Sequence, residues 1–169
     1  MFAGKTTELI RRVSEASSRG VATVVFKPAR DTRYDRTSVV THAGSSLPAE
    51  QAREAHDILL RAGDAAVVAI DEAHFFGASL EPVCVELLRP GRRVIVAGVE
   101  RDHTGRPFAP FPTLLCEADE VLKLSGPCAV CGRPAVHSQR MSGEPGRIVV
   151  GGAESYQARC RGCFEPGAG

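Results

Sequence analysis

Apolar positions recur along this chain with two alternating periods. In Thr6 to Ser18, Leu9, Ile10 and Val13 share one helical face among charged neighbours, and Gly20 supplies a stop. Val21 to Phe26 is a short β-branched run that reads as a strand, and the polar stretch Lys27 to Ser46 reads as loop. Helical spacing returns at Ala49 to Arg61, Ala65 to Ile70 forms a buried strand, and Ser79 to Leu88 is helical again. Arg93 to Val99 predicts another buried strand and Thr113 to Leu124 another helix. Strands that alternate with helices predict an α/β fold with a mainly parallel sheet flanked by helices. From Gly126 the composition shifts to glycine, proline and cysteine, so the expected organisation is an α/β domain over 1–125 and a small module over 126–169.

Composition narrows the class. A chain of 169 residues, 43% hydrophobic and 24% charged, is long enough to bury a core as one main domain. The 21 basic and 20 acidic residues nearly cancel, which argues against a nucleic-acid clamp. No apolar run approaches the roughly 20 residues that a membrane span needs, and the start lacks the pattern of a signal peptide. The expectation is a cytoplasmic protein with neither a membrane nor a nucleic acid as partner.

The first candidate chemistry lies at the start, where Phe2 to Thr7 read F-A-G-K-T-T. Gly4, Lys5 and Thr6 match the last fixed positions of the phosphate-binding loop G-x-x-x-x-G-K-[ST]. Glycine lets backbone N–H groups turn onto phosphate oxygens, lysine reaches the outer phosphates, and the hydroxyl ligates Mg²⁺ at a helix N-terminus. A bare G-K-T triplet also opens ordinary helices. The motif's first glycine falls before Met1, and so does the strand that feeds such a loop; the chain reads as truncated or started late.

The second signal is the apolar strand Val67 to Ile70 running into Asp71 and Glu72. Ligands of open α/β sheets bind at the carboxyl edge, where this pair sits. In nucleoside triphosphate enzymes such an aspartate holds Mg²⁺, and a second carboxylate accepts a proton from the attacking group. The plain alternative is an acidic pair opening a helix. The string Asp71-Glu72-Ala73-His74 also occurs in one class of helicases, but these need two lobes and a much longer chain.

Four of the six cysteines form two C-x-x-C pairs, Cys128/Cys131 and Cys160/Cys163, with 28 residues between them. Without a secretion signal this pairing favours tetrahedral, structural Zn²⁺ over disulfides, with a redox dithiol or unrelated thiols as alternatives. Gly132 and Gly162 are expected where the knuckle turns need freedom in φ. Cys84 and Cys116 fall in helical patterns and are expected as small buried side chains.

Taken together, Met1 to Leu9, Asp31-Thr32-Arg33-Tyr34, Asp71 to Phe76, Gly105-Arg106-Pro107-Phe108 and Gly151-Gly152-Ala153-Glu154-Ser155-Tyr156 leading into Cys160 resemble the zinc-bearing type II thymidine kinases. These stretches span nearly the whole chain in family order. The resemblance implies a P-loop NTPase-like α/β domain with a small C-terminal zinc-ribbon and lasso domain. It implies transfer of the ATP γ-phosphoryl group to the 5′-hydroxyl of thymidine, with deoxyuridine as a further acceptor, in a homotetramer.

Site roles come from the same resemblance. Met1, Phe2, Ala3, Gly4, Lys5, Thr6 and Thr7 would surround the ATP phosphates, with Asp31, Asp71, Ala73 and His74 on the same side. Thr6 and Asp71 would hold Mg²⁺, and Glu72 would take the 5′-hydroxyl proton, a task that needs mostly positioning. Arg33 would support the transferring phosphoryl group, although a solvated loop arginine is an equal reading of that residue. The base would lie under a lasso from Ile148 to Tyr156, including Val149, Gly151 and Gly152, with Tyr156 as a hydrogen-bonding partner. Phe75, Phe108 and Ser138 would wall the ring, although a phenylalanine beside a strand end is more often plain core, and zinc at the four cysteines would fix the lasso ends.

Three positions depart from the family pattern. His74 stands where glutamine is common, His103 where an aromatic residue is frequent, and Ser138 where threonine is frequent near the thymine methyl. Smaller walls would loosen discrimination between thymidine and deoxyuridine, since a methyl group in a pocket is worth only about 1–3 kcal/mol. Two other classes are compatible with the sequence: a nucleic-acid-dependent ATPase and a zinc-ribbon binding module with a decayed nucleotide site.

Overall fold

The computed structural model describes residues 3–31, 38–40, 44, 46–141, 146–147, 151–152 and 154–166. The chain divides into two compact units, one of Lys5–Gly98 and the other of Val99 onward with the residues before Lys5. Among the described residues no helix is long and apolar enough to cross a membrane.

The first unit is built on a four-stranded, all-parallel sheet. Its strands are β1 (Thr23–Pro28), β4 (Glu50–Ala52), β5 (Val67–Ile70) and β6 (Arg93–Val96), in the order β4-β1-β5-β6. Register is set by Val24 opposite Val68 and Val68 opposite Val94, so each β-branched run faces another. All four residues of β5 are buried, as a central parallel strand requires. A short antiparallel pair, β2 (Ser38–Val40) and β3 (Ser46–Pro48), lies within the stretch expected as loop.

Helix α1 (Lys5–Ser18) buries Leu9, Ile10 and Val13. Leu9 and Val13 pack with Val25, Val39 and Ala69, backed by Leu47, Ala49, Ile95 and Ala97. On the outer face, Glu8 accepts hydrogen bonds from Arg11 and Arg12 at 2.8 Å, which pulls its carboxyl down to about 2. The segment expected as one helix over Ala49 to Arg61 divides instead. Glu50–Ala52 forms the edge strand, paired with Phe26 to Pro28, and only α2 (Ala55–Arg61) is helical. Asp57 marks the boundary, accepting the backbone N–H of Arg53 at 2.8 Å and of Glu54 at 3.2 Å.

After β5 comes a 3₁₀ segment, Ala73–Ser79, interrupted at Gly77, and then α3 (Leu80–Leu88) with Cys84 buried. In the second unit α4 runs from Phe111 to Glu117, shorter than the expected helix to Leu124 because Ala118 is extended. Cys116, expected as buried, is exposed near the end of this short helix.

Among its described residues the second unit also carries two small antiparallel ribbons. Strand β7 (Gly126–Pro127) pairs with β8 (Pro134–Ala135), and β9 (His137–Arg140) pairs with β10 (Tyr156–Arg159). These ribbons bring the two cysteine pairs together around a core of Cys128, Ala135, Ala158 and Cys160.

Candidate active site

In the first unit the sheet's carboxyl edge collects the phosphate-side residues from Lys5 onward. Gly4 adopts φ 74°, in the left-handed region, immediately before α1, and Lys5, Thr6 and Thr7 form the first turn of that helix. Backbone N–H groups and the helix dipole therefore favour an anion at this point. The Thr6 hydroxyl donates to Asp71 Oδ2 at 3.0 Å, joining residues 65 positions apart.

Asp71 is buried at the end of β5, where its backbone N–H donates to Phe26 O at 2.9 Å. Burial, and then the neighbouring Glu72 carboxylate, push its carboxyl up to about 7 against the hydrogen bonds and the Lys5 charge that pull it down. The Lys5 charge offsets burial only in part, and a divalent ion bound beside this carboxylate would hold it ionised. Its donor set with Thr6, one carboxylate and one hydroxyl, suits Mg²⁺, which takes oxygen ligands.

Glu72 adopts φ 48° and ψ 41°, the only left-handed non-glycine residue among those described. A β-strand turning sharply at this point leaves its side chain at the edge, with Oε2 3.5 Å from Nδ1 of His74. The Glu72 N–H donates to Asp71 Oδ1 at 2.9 Å, so the two carboxylates are held in fixed relation. Strain of this kind at a polar edge residue points to a function for its side chain.

A small open cleft is lined by Thr6, Lys27, Asp31, Ser38, Val39, Val40, Asp71 and Glu72. Sequence reasoning missed Lys27, Ser38 and the two valines. Lys27 is buried and its Nζ donates to the Ser38 carbonyl at 3.0 Å, tying β2 to the end of β1. The Val39-Val40 pair within an otherwise polar stretch was the available signal. Asp31, also buried, follows a turn closed by its N–H to Pro28 O at 3.0 Å. Ala73 is buried and donates to Ala97 O at 2.9 Å; His74 is buried with its ring 4.4 Å from that of Phe75.

Residues assigned to the nucleoside side fall in both units: Phe75 in the first, and Phe108, Ser138, Gly151, Gly152 and Tyr156 in the second. Phe108 is buried and Arg147 lies over its ring at 4.9 Å. Ser138 and Tyr156 are buried on β9 and β10, and Arg140 reaches the Tyr156 hydroxyl at 3.4 Å. The glycine pair serves the chain's own turn. A Cβ on Gly151 would come within 2.4 Å of Ser155 Oγ, and one on Gly152 within 2.9 Å of Glu154 Oε2. Met1, Phe2, Arg33 and Val149, like Thr32, Tyr34, Ile148 and Ala153, lie outside the described residues. The His103 imidazole is held below its usual pKa, first by burial and then by the Arg140 charge.

The sulfurs of Cys128, Cys131, Cys160 and Cys163 all lie within 4.8 Å of one another, with Cys131 at 3.6 Å from Cys160 and 3.7 Å from Cys163. A tetrahedral zinc with bonds of about 2.3 Å would set sulfurs about 3.8 Å apart, so the cluster fits that ion. These separations are far too long for disulfides. Gly132 at φ 73° closes the first knuckle, donating to Cys128 O at 2.9 Å. Gly162, expected to need the same freedom, is not in the left-handed region; a Cβ there would meet Arg133 Nη2 at 3.3 Å. A backbone hydrogen bond at Cys160 pulls Cys128 down to about 6, while its sulfur neighbours push Cys163 up to about 12. Four thiolates this close need a cation to ionise together.

Comparison with known proteins shows the family. Residues 1–164 match the family described as thymidine kinase. The chain is 49% identical over 166 residues to a thymidine kinase of Rhodothermus sp. (strain ITI 518), covering 98% of this chain and 78% of the other. It is 50% identical over 166 residues to a thymidine kinase of Coprothermobacter proteolyticus, covering 95% and 84%. A thymidine kinase of Deinococcus deserti is 44% identical over 178 residues, covering 95% and 88%.

Proposed function

Because this chain belongs to the thymidine kinase family, we propose that its cleft at the carboxyl edge of β5 carries phosphoryl transfer with Glu72 as the base. The protein is an ATP-dependent kinase that moves the γ-phosphoryl group of ATP to the 5′-hydroxyl of thymidine, giving dTMP and ADP. The oxygen–phosphorus bond to ADP breaks, a new one forms to the 5′-oxygen, and the hydroxyl proton passes to a base. The observation that carries the residue assignment is the fixed pair Asp71-Glu72, with Asp71 bonded to Thr6 of the phosphate-side helix and Glu72 held left-handed beside it.

In this reading Gly4, with Ala3 before it, and Lys5 receive the phosphates, and Thr7 stands in the same first helical turn. Mg²⁺, held by Thr6 and Asp71, supplies neutralisation of the phosphate charge. Glu72 orients the 5′-hydroxyl and accepts its proton, and His74 at 3.5 Å fixes the carboxylate's direction. Asp31 supports the metal's water shell, and Arg33 the transferring group. Phe75, Phe108, Ser138, Val149, Gly151, Gly152 and Tyr156 form the nucleoside side. Zinc on the four cysteines is structural, since a closed four-sulfur set leaves no open position. Family resemblance supports a cytoplasmic homotetramer.

The test is E72Q, which keeps the shape and removes the base. The turnover rate should fall by about 10²–10⁴-fold while thymidine binding is retained. Wild-type turnover in E72Q would remove Glu72 from the mechanism.

A further inference from the structure

The proposed nucleoside side includes the glycine-rich stretch ending at Tyr156; of the four clustered cysteines, Cys160 and Cys163 follow that stretch closely, whereas Cys128 and Cys131 precede it at a distance, before β9. The residues on its N-terminal side have a separate anchor. Asp102 is buried, and its Oδ1 accepts the N–H of Thr104 at 3.0 Å, the Thr104 hydroxyl at 2.7 Å and the N–H of Arg106 at 3.0 Å. One oxygen thus shapes the turn that leads to Phe108. The other oxygen, Oδ2, accepts Nε of Arg147 at 2.6 Å.

Arg147 reaches across 40 positions to the same turn, donating from Nη2 to Pro107 O at 2.7 Å and covering the Phe108 ring at 4.9 Å. Its own side chain is 53% exposed, whereas that of Asp102 is 3% exposed. A half-exposed arginine that spends its fork on one buried carboxylate, one carbonyl and one aromatic face is positioned by all three. The backbone of Arg147 also interacts with the His103 ring.

Arg140 completes the connection. From β9 it donates to Gly146 O at 2.6 Å and to Arg147 O at 3.2 Å, and its guanidinium lies 5.8 Å from the Tyr156 ring. The Met141 N–H donates to Ser155 O at 2.8 Å, and the Tyr156 N–H to Gly152 O at 3.0 Å. Both flanks of the stretch are therefore joined to each other by Arg140 and to the Phe108 turn by Asp102, independently of the cysteines.

We propose that Asp102 and Arg147 are positioning residues for nucleoside recognition: the pair locks the turn carrying Phe108 to the leading flank of the stretch ending at Tyr156. This rests on the assignment of Phe108 and the glycine-rich stretch to the nucleoside side. Because neither residue belongs to the phosphate cleft, the pair sets affinity for thymidine and leaves the chemical step alone.

Kinetics of zinc-loaded R147M, D102N and the double variant test the proposal. In R147M the KM for thymidine should rise about tenfold, the worth of one charge-assisted hydrogen bond, with kcat and the KM for ATP within about twofold of wild type. D102N keeps an oxygen for the Thr104 and Arg106 donors and weakens the bond to Arg147, so it should mimic R147M. The double variant should be little worse than either single one. An unchanged thymidine KM in R147M, an equal rise in the ATP KM, or additive effects would overturn the proposal. Amide exchange of Gly151 to Arg159 in the nucleoside-free protein reads the clamp without turnover: it should quicken in R147M, and unchanged exchange would also overturn it. Wild-type protein that makes no dTMP would instead sink the kinase assignment, leaving the exchange result to judge the clamp.

Discussion

Replacing Glu72 by asparagine and by glutamine separates what its backbone costs from what its carboxylate does. Glu72 sits at φ 48° and ψ 41°. An ordinary L residue in that region costs about 1–2 kcal/mol, because Cβ crowds the following carbonyl. Asparagine tolerates the region much better than glutamate or glutamine. Both variants remove the charge beside Asp71, and both lose the carboxylate contact to His74, 3.5 Å away. Those effects largely cancel between them, so the difference reports the backbone. E72N should be more stable than E72Q by about 0.5–1 kcal/mol, which in a chain of this size is about 1–4 °C in melting temperature. Both should lose about 10²–10⁴-fold in turnover. The assay pairs thermal melts of the zinc-loaded variants with the rate of dTMP formation at saturating substrates. Equal melting of E72N and E72Q would refute the claim of stored strain, and a fast E72Q would refute the claim that the strain serves a base.

The same geometry has further consequences. Asp71 is raised toward about 7 by burial and by Glu72, so the unfolded chain ionises at lower pH than the folded one and binds fewer protons between the two values. Without Mg²⁺, stability from this group is therefore present below about pH 4 and lost as pH rises through about 7; urea melts of D71N should lack that slope. Stripping the metal with a chelator should release one zinc per chain and raise the KM for thymidine more than that for ATP, read by zinc analysis alongside initial rates. G132A, at φ 73°, should destabilise the zinc-bearing unit by about 1–2 kcal/mol, whereas G162A, outside the left-handed region, should cost less; parallel melts compare them. T6V should raise the Mg²⁺ concentration needed for half-maximal rate, because Asp71 loses its hydroxyl donor at 3.0 Å.

Much of this architecture was legible wherever a residue pattern maps directly onto geometry. The apolar run from Val67 ends at the carboxylates, and the C-x-x-C spacing brings four sulfurs within 4.8 Å. Local periodicity failed where pairing partners decide. Glu50–Ala52 looks helical by spacing, but it becomes an edge strand because Phe26 to Pro28 offer backbone groups to it. The strands at 38–40 and 46–48 are too short to show a period of two. Cys116 reads as apolar within a long helix, yet that helix ends at Glu117 and leaves the thiol exposed. The left-handed turn at Glu72 has no signature, since glutamate is not a residue that favours it. Nor does anything local announce that Asp102 and Arg147 will meet across 45 positions.

The most direct test of the account is the stoichiometry of products when the zinc-loaded protein is given ATP, Mg²⁺ and thymidine. The account predicts one dTMP for every ADP, with both falling together in E72Q. ADP released without dTMP, or dTMP formed at an unchanged rate by E72Q, would contradict it.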